Sequence, residues 1–112
     1  MENCIFCKIA KKEIETNIIK EGMGWVAFED VNPQAPVHVL VIPTDHIVSL
    51  KEVDDEKIIG GLMIAVSETA AKLGLKENGY RVVNNVGEYG GQTVPHLHFH
   101  ILGGRQMGWP PG

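Results

Sequence analysis

Apolar and polar positions change period several times along the chain, and each change marks an element. Ile5, Phe6 and Ile9 recur at helical spacing within residues 4–12, which predicts a short N-terminal helix. The segments Asn17–Glu21 and Trp25–Glu29, separated by Gly22, Met23 and Gly24, read as a β-hairpin. The loop DVNPQAP is broken at Asn32–Pro33 and Ala35–Pro36, and VHVLVIP then reads as a buried strand ended by Pro43. The longest periodic run lies between about Asp54 and Leu73. There Ile58, Ile59, Leu62, Met63, Val66, Ala70 and Leu73 recur at three- and four-residue intervals and make one apolar helix face. Asp54, Asp55 and Glu56 cap its start with negative charge, and Gly74 is a natural stop. YRVVNN predicts another strand, VGEYGGQ a glycine-rich loop, and the run through HLHFHIL a last strand before the irregular tail GGRQMGWPPG.

The order is helix, hairpin, strand, helix, strand, strand. It predicts one α+β domain over residues 1–112, with an antiparallel sheet covered on one face by the long helix.

His96, His98 and His100 alternate with Leu97, Phe99 and Ile101. On a strand this spacing gives one imidazole face and one apolar face. Three readings stay open: an edge strand with a polar face, a metal site built on His-x-His, or nucleophilic catalysis by one imidazole that its neighbours orient. His38, alone among apolar residues in VHVLVIP, joins the imidazole face if the two strands pair. It can then hydrogen-bond to a triad member, the support an imidazole nucleophile needs. Gly90 and Gly91 in the loop before the triad let the backbone approach a ligand, although paired glycines are also ordinary hairpin residues. Gln92 and Thr93 add neutral donors, a set that fits a phosphoryl group better than a carbonyl.

Composition narrows the partners. The 112 residues include 10 basic and 14 acidic ones, so no basic stripe exists for a nucleic-acid polymer. A small nucleotide stays compatible, because backbone amides can hold a phosphate without net positive charge. The opening MENCIFCKIAKKEIE lacks a signal-peptide core, and no run approaches the roughly 18 apolar residues of a membrane span. A cytoplasmic location is the expectation. The only cysteines, Cys4 and Cys7, form a Cys-x-x-Cys pair. Nothing strand-like precedes them, so a metal half-site is favoured over a redox motif, with packing residues of the first helix as the bland alternative.

The pattern HLHFHIL resembles the signature of the histidine triad (HIT) family. The likeness extends through IFCKIAKKEI, AFEDVNPQAPVHVLVIP, the long helix, GGQTVPHLHFH and GGRQMGWPPG. Within the family it is most similar to the histidine-triad nucleotide-binding branch, which shares the Asp-x-x-Pro-Gln-Ala-Pro loop and the Arg-Gln-Met-x-Trp-Pro-Pro-Gly tail. The resemblance implies a five-stranded antiparallel sheet with one long and one short helix, and a homodimer with a continuous sheet. It implies a purine-nucleoside phosphoramidase acting on adenosine 5'-phosphoramidates or aminoacyl adenylates. His98 would be the nucleophile, His100 a phosphate contact backed by His38, and no cofactor would enter the chemistry. Asn85, Gly91, Gln92 and Thr93 match phosphate or leaving-group contacts, Thr93 standing where serine is common. Asp30 matches the ribose ligand. Ile5, Phe6, Ile9, Phe28 and Val31 match the purine pocket, and Trp109 a residue reaching toward the partner subunit. Cys4 and Cys7, completed by His46 and His96, match a structural zinc set. Pro95 lacks a backbone donor, so the triad strand cannot form a full ladder at that end. Two competing functions remain: a zinc hydrolase with catalytic metal on the triad, and a non-enzymatic nucleotide-binding adaptor.

Overall fold

The computed structural model describes residues 3–112. Helix α1 spans Ile5–Ala10, strands β1 and β2 span Ile18–Gly22 and Trp25–Glu29, and β3 spans Val37–Pro43. A short 3-10 turn at Leu50–Glu52 precedes helix α2, Glu56–Lys72, after which β4 and β5 span Arg81–Val83 and Phe99–Gly103. The five strands form one antiparallel sheet in the order β1-β2-β3-β5-β4. This is the expected α+β architecture. The hairpin closes more tightly than the sequence suggests, since Gly22 already pairs with Trp25 and only Met23 and Gly24 form the turn.

Period-two alternation distributes the core between two layers. Ala27, Val39, Val41, Phe99 and Ile101 pack under α2, with Leu97 continuing their line. Val26, Phe28, Leu40 and Ile42 face the other way and pack against Cys4, Phe6, Cys7 and Ile9 of the α1 region. Both faces of β3 are therefore covered, which is why VHVLVIP reads as an unbroken apolar run. His38 and His100 lie on the α1 side, because His100 pairs with Leu40 and His38 shares that residue's parity.

The apolar face of α2 needs correcting. The buried residues are Leu62, Ala65, Val66, Thr69 and Ala70, flanked by half-buried Ile59 and Leu73, whereas Ile58 and Met63 are exposed. One helix lying on a sheet buries only a stripe roughly 100° wide, and Ile58 and Met63 each stand one residue off it. Small Ala65, Thr69 and Ala70 occupy the contact, and the Thr69 hydroxyl is satisfied by donating to the Ala65 carbonyl at 2.7 Å. Asp55 caps the helix, its carboxylate accepting from the Lys57 amide, and Gly74 follows at φ 76°.

Candidate functional site

The triad is not one strand. Only His100 belongs to β5; His98 precedes it outside the ladder, and His96 lies in the bend over residues 94–96, where its amide donates to the Val94 carbonyl. Alternation nevertheless persists, because Leu97 and Phe99 stay in the α2 core while the imidazoles face α1. The segment before β5 is held by separate bonds. The Leu97 amide donates to the Ile47 carbonyl at 2.6 Å, and the Asn84 side-chain amide donates to the His98 carbonyl at 2.8 Å.

Backbone groups fix the protonation pattern of the rings. The His96 carbonyl can only accept, so His98 Nδ1–H donates to it at 2.7 Å and Nε2 keeps a lone pair. The Gln34 backbone amide can only donate, so at 3.0 Å it makes His38 Nδ1 the acceptor and leaves the ring proton on Nε2. His38 Nε2–H then donates to His100 Nδ1 at 2.8 Å, with an Asp30 carboxylate oxygen 3.4 Å away. His100 must therefore carry its proton on Nε2, and that buried nitrogen has no protein partner. The rings of His98 and His100 lie 5.0 Å apart between centroids. A lone pair and an unspent N–H donor thus sit on neighbouring rings.

Burial favours the neutral form of two of these rings, His38 and His100. It is the main cause holding His38 below the ordinary imidazole range, against the opposing pull of Asp30. Burial, with repulsion from His98 and His38, drives His100 from its ordinary 6.5 down to about 4. Asp30, His38 and His100 also lie close enough to suggest a second metal site. The Gln34 amide argues against it: a neutral His38 that accepts at Nδ1 has no lone pair left at Nε2 for an ion.

The other cluster has the opposite character. Cys4, Cys7, His46 and His96 bring their ligand atoms within 4.8 Å of one another. His96 Nε2–H donates to the Pro43 carbonyl at 2.9 Å, which turns the Nδ1 lone pair toward Cys4 Sγ at 3.2 Å and Cys7 Sγ at 3.5 Å. His46 Nδ1 stands 3.2 Å from Cys7 Sγ. A zinc tetrahedron with bonds of about 2.3 Å to sulfur and 2.0 Å to nitrogen separates these corners by roughly 3.5 Å. A ligand histidine whose other nitrogen is anchored on a carbonyl is the usual supporting arrangement. The four residues fit a structural zinc. Burial, then hydrogen bonding and repulsion from Cys4, push the Cys7 thiol up, a bias that a bound cation would reverse.

The remaining predicted residues fall into groups. Phe6, Ile9 and Phe28 are buried, Phe6 meeting the edges of Phe28 and His98 at 5.5 and 5.1 Å, whereas Ile5 is exposed and Val31 is 95% exposed. Asp30 turns the neighbouring loop by accepting from the Asn32 amide at 2.8 Å. Thr93 and Gly91 are exposed in the loop before the triad, and Asn85 is half-buried. Gly90 is required there, since a Cβ would fall against the Val86 backbone. Gln92 spends its side chain inside the protein: Oε1 accepts from the Gly87 amide, and Nε2 donates to the Val48 and Val94 carbonyls. Trp109 is 83% exposed in the tail. The sequence does not single out Asn84 or the Gln34 amide. Asn84 stands beside Asn85 without a distinguishing pattern, and a backbone amide leaves no trace in residue type.

A β1-β2-β3-β5-β4 sheet carrying these imidazoles defines a histidine-triad domain, and the chain belongs to the HIT family: the HIT domain model matches residues 11–107. The chain is 50% identical to an uncharacterized HIT-like protein of Synechococcus elongatus, over 99% of this chain and 98% of that one. It is 48% identical to a 14 kDa zinc-binding protein of Zea mays, over 96% and 87% of the two chains. A crystal structure of a HIT family hydrolase from Legionella pneumophila superposes with a TM-score of 0.94 at 47% identity, covering 98% of this chain and all of that one. Among the described residues no helix is long and apolar enough to cross a membrane.

Proposed function

We propose that the protein is a purine-nucleoside phosphoramidase of the nucleotide-binding branch, acting on adenosine 5'-phosphoramidates or aminoacyl adenylates. The observation that carries this reading is a complementary pair of neighbouring rings, with a lone pair on His98 Nε2 and an unspent N–H on His100 Nε2. His98 Nε2 attacks the α-phosphorus, forming an N–P bond as the bond to the leaving group breaks; an amine takes up a proton from water as it departs, and an aminoacyl group departs as its carboxylate. Water then attacks the same phosphorus, gives up a proton to solvent, restores the His98 lone pair as the N–P bond breaks, and releases the nucleoside monophosphate. His100 Nε2–H stabilises the phosphoryl oxygens, where negative charge concentrates in the transition state. Asp30 receives the ribose hydroxyls, and Asn85, Gly91, Gln92 and Thr93 flank the phosphate, Gln92 by bracing its loop. Ile5 and Val31 offer exposed apolar surface to the base, backed by Phe6, Ile9 and Phe28.

Zinc held by Cys4, Cys7, His46 and His96 is structural in this reading, and the maize relative is named for binding zinc. A closed four-ligand site leaves no position for water or substrate. A homodimer is supported by β4, an edge strand whose Val82 is 40% exposed and which α2 barely touches. Pairing β4 with a second copy continues the sheet, and Trp109 then reaches toward the partner's site. The location is cytoplasmic in this reading.

The test is turnover of a fluorogenic adenosine 5'-phosphoramidate by the wild type and by His98→Ala. Removing a covalent nucleophile should lower kcat on the order of 10⁴-fold or more, with nucleotide binding largely retained. A His98→Ala protein that keeps a tenth of wild-type turnover contradicts the assignment, and an inactive wild type that still binds nucleotide supports the adaptor.

A further inference from the structure

The β4–β5 ladder stops at the pair Val83–His100, one residue short of Asn84. Beyond it the His98 carbonyl has no ladder partner, and the Asn84 side-chain amide takes that place, Nδ2 donating at 2.8 Å. The other half of the same amide, Oδ1, is buried without any hydrogen-bond partner. Buried amides that satisfy only one end are uncommon and disfavoured, and an apolar side chain of similar shape would fill the space without that cost. Packing alone therefore does not account for an asparagine here. What its donor accomplishes is local: it holds the main-chain carbonyl of the residue whose imidazole is held by the His96 carbonyl at 2.7 Å. Between them the two bonds fix both the main chain and the ring of His98 in a segment that has left the sheet.

We infer that Asn84 is a positioning residue, setting the placement of the His98 imidazole through a side-chain bond to the His98 carbonyl. The inference rests on the phosphoramidase reading for its kinetic consequence, but the bond and its effect on the ring stand apart from that reading. Asn84 touches neither phosphate nor base in this role. Its loss lets the His98 backbone shift, and the Nδ1–H bond to His96 loosens with it. Displacement of a reacting group by about 1 Å can cost on the order of 10²-fold in rate while ground-state binding survives.

The experiment compares wild type, Asn84→Leu and Asn84→Asp. Leucine has similar shape and removes both the donor and the orphaned acceptor, so the fold should keep its melting temperature within a few degrees. Aspartate is isosteric with the native side chain and puts an acceptor against the His98 carbonyl. Both variants should lose about tenfold to a hundredfold in kcat on the fluorogenic phosphoramidate, with KM changed by no more than about twofold. In parallel, ¹⁵N spectra of the neutral histidine rings should show the His98 Nδ1–H tautomer dominant in wild type and mixed with Nε2–H in the variants. This readout needs no substrate. A wild type that is inactive while the ring signature still shifts contradicts the phosphoramidase reading and leaves the role of Asn84 intact. Unchanged kcat together with an unchanged His98 tautomer, in either folded variant, overturns the inference.

Discussion

At the scale of single residues, the roles of the histidines are decided by backbone groups that carry no sequence signal. Spacing alone shows that His96, His98 and His100 share a face, and that His38 can join them, and this much is legible in the chain. Which nitrogen of each ring holds the proton follows only from the His96 and Pro43 carbonyls and the Gln34 amide. The burial that disfavours the charged forms of His38 and His100 has a thermodynamic consequence. His38 and His100 are lowered in the folded protein, His100 to about 4, whereas in the unfolded chain each protonates near 6.5. Between those values the unfolded chain binds protons that the folded chain refuses, so stability falls as pH falls through this window and is flat with respect to these groups above it. The urea midpoint should therefore decline steadily from about pH 7 to about pH 4.5, and His100→Asn should make the decline shallower. A decline of equal slope in the variant would show that His100 titrates normally.

Elements are legible where periodicity is long and strict, and less so where a ladder ends. The hairpin, β3 and α2 all fall where the pattern puts them, because their apolar residues are distributed between two real layers. Hydrophobicity marks Ile58 and Met63 for the buried face of α2, but the geometry of the contact leaves them outside it. The early end of β5 has a different cause: alternation describes side-chain direction, which the segment before β5 keeps without ladder hydrogen bonds. The freed segment is the junction between two sites, since His96 offers its ring to the cysteines and its carbonyl to His98. Replacing Cys4 and Cys7 with serine should abolish zinc retention, about one ion per chain in the wild type, and lower the melting temperature. Turnover at low temperature should stay within about tenfold, because no contact to the reacting phosphorus is removed. A folded, zinc-free double variant without any activity would favour a catalytic metal instead.

For the whole molecule, the β4 edge of the sheet sets the terms. The β4 edge offers unpaired backbone groups beside Val82, and α2 leaves Met63 and Ile64 exposed. A sheet edge of this kind is commonly covered, and a two-fold pairing covers it in both copies at once. Sedimentation at micromolar concentration should give twice the chain mass, and Val82→Lys should shift the population toward the single chain. A wild-type monomer under those conditions contradicts the dimer and, with it, the reach of Trp109 into a partner's site. This level is the least legible in the sequence, because an exposed apolar residue on an edge strand looks the same as one on an interior strand until the strand order is known.

The central claim is that His98 Nε2 becomes covalently nucleotidylated. Mixing the protein with an adenosine 5'-phosphoramidate, quenching in alkali within the first turnover and mapping the peptides by mass measures this directly. The phosphorus–nitrogen bond should be found on His98, as an adenylyl adduct that disappears as the monophosphate is released. An adduct on His96 or His100, or turnover with no adduct at any quench time, would contradict the account.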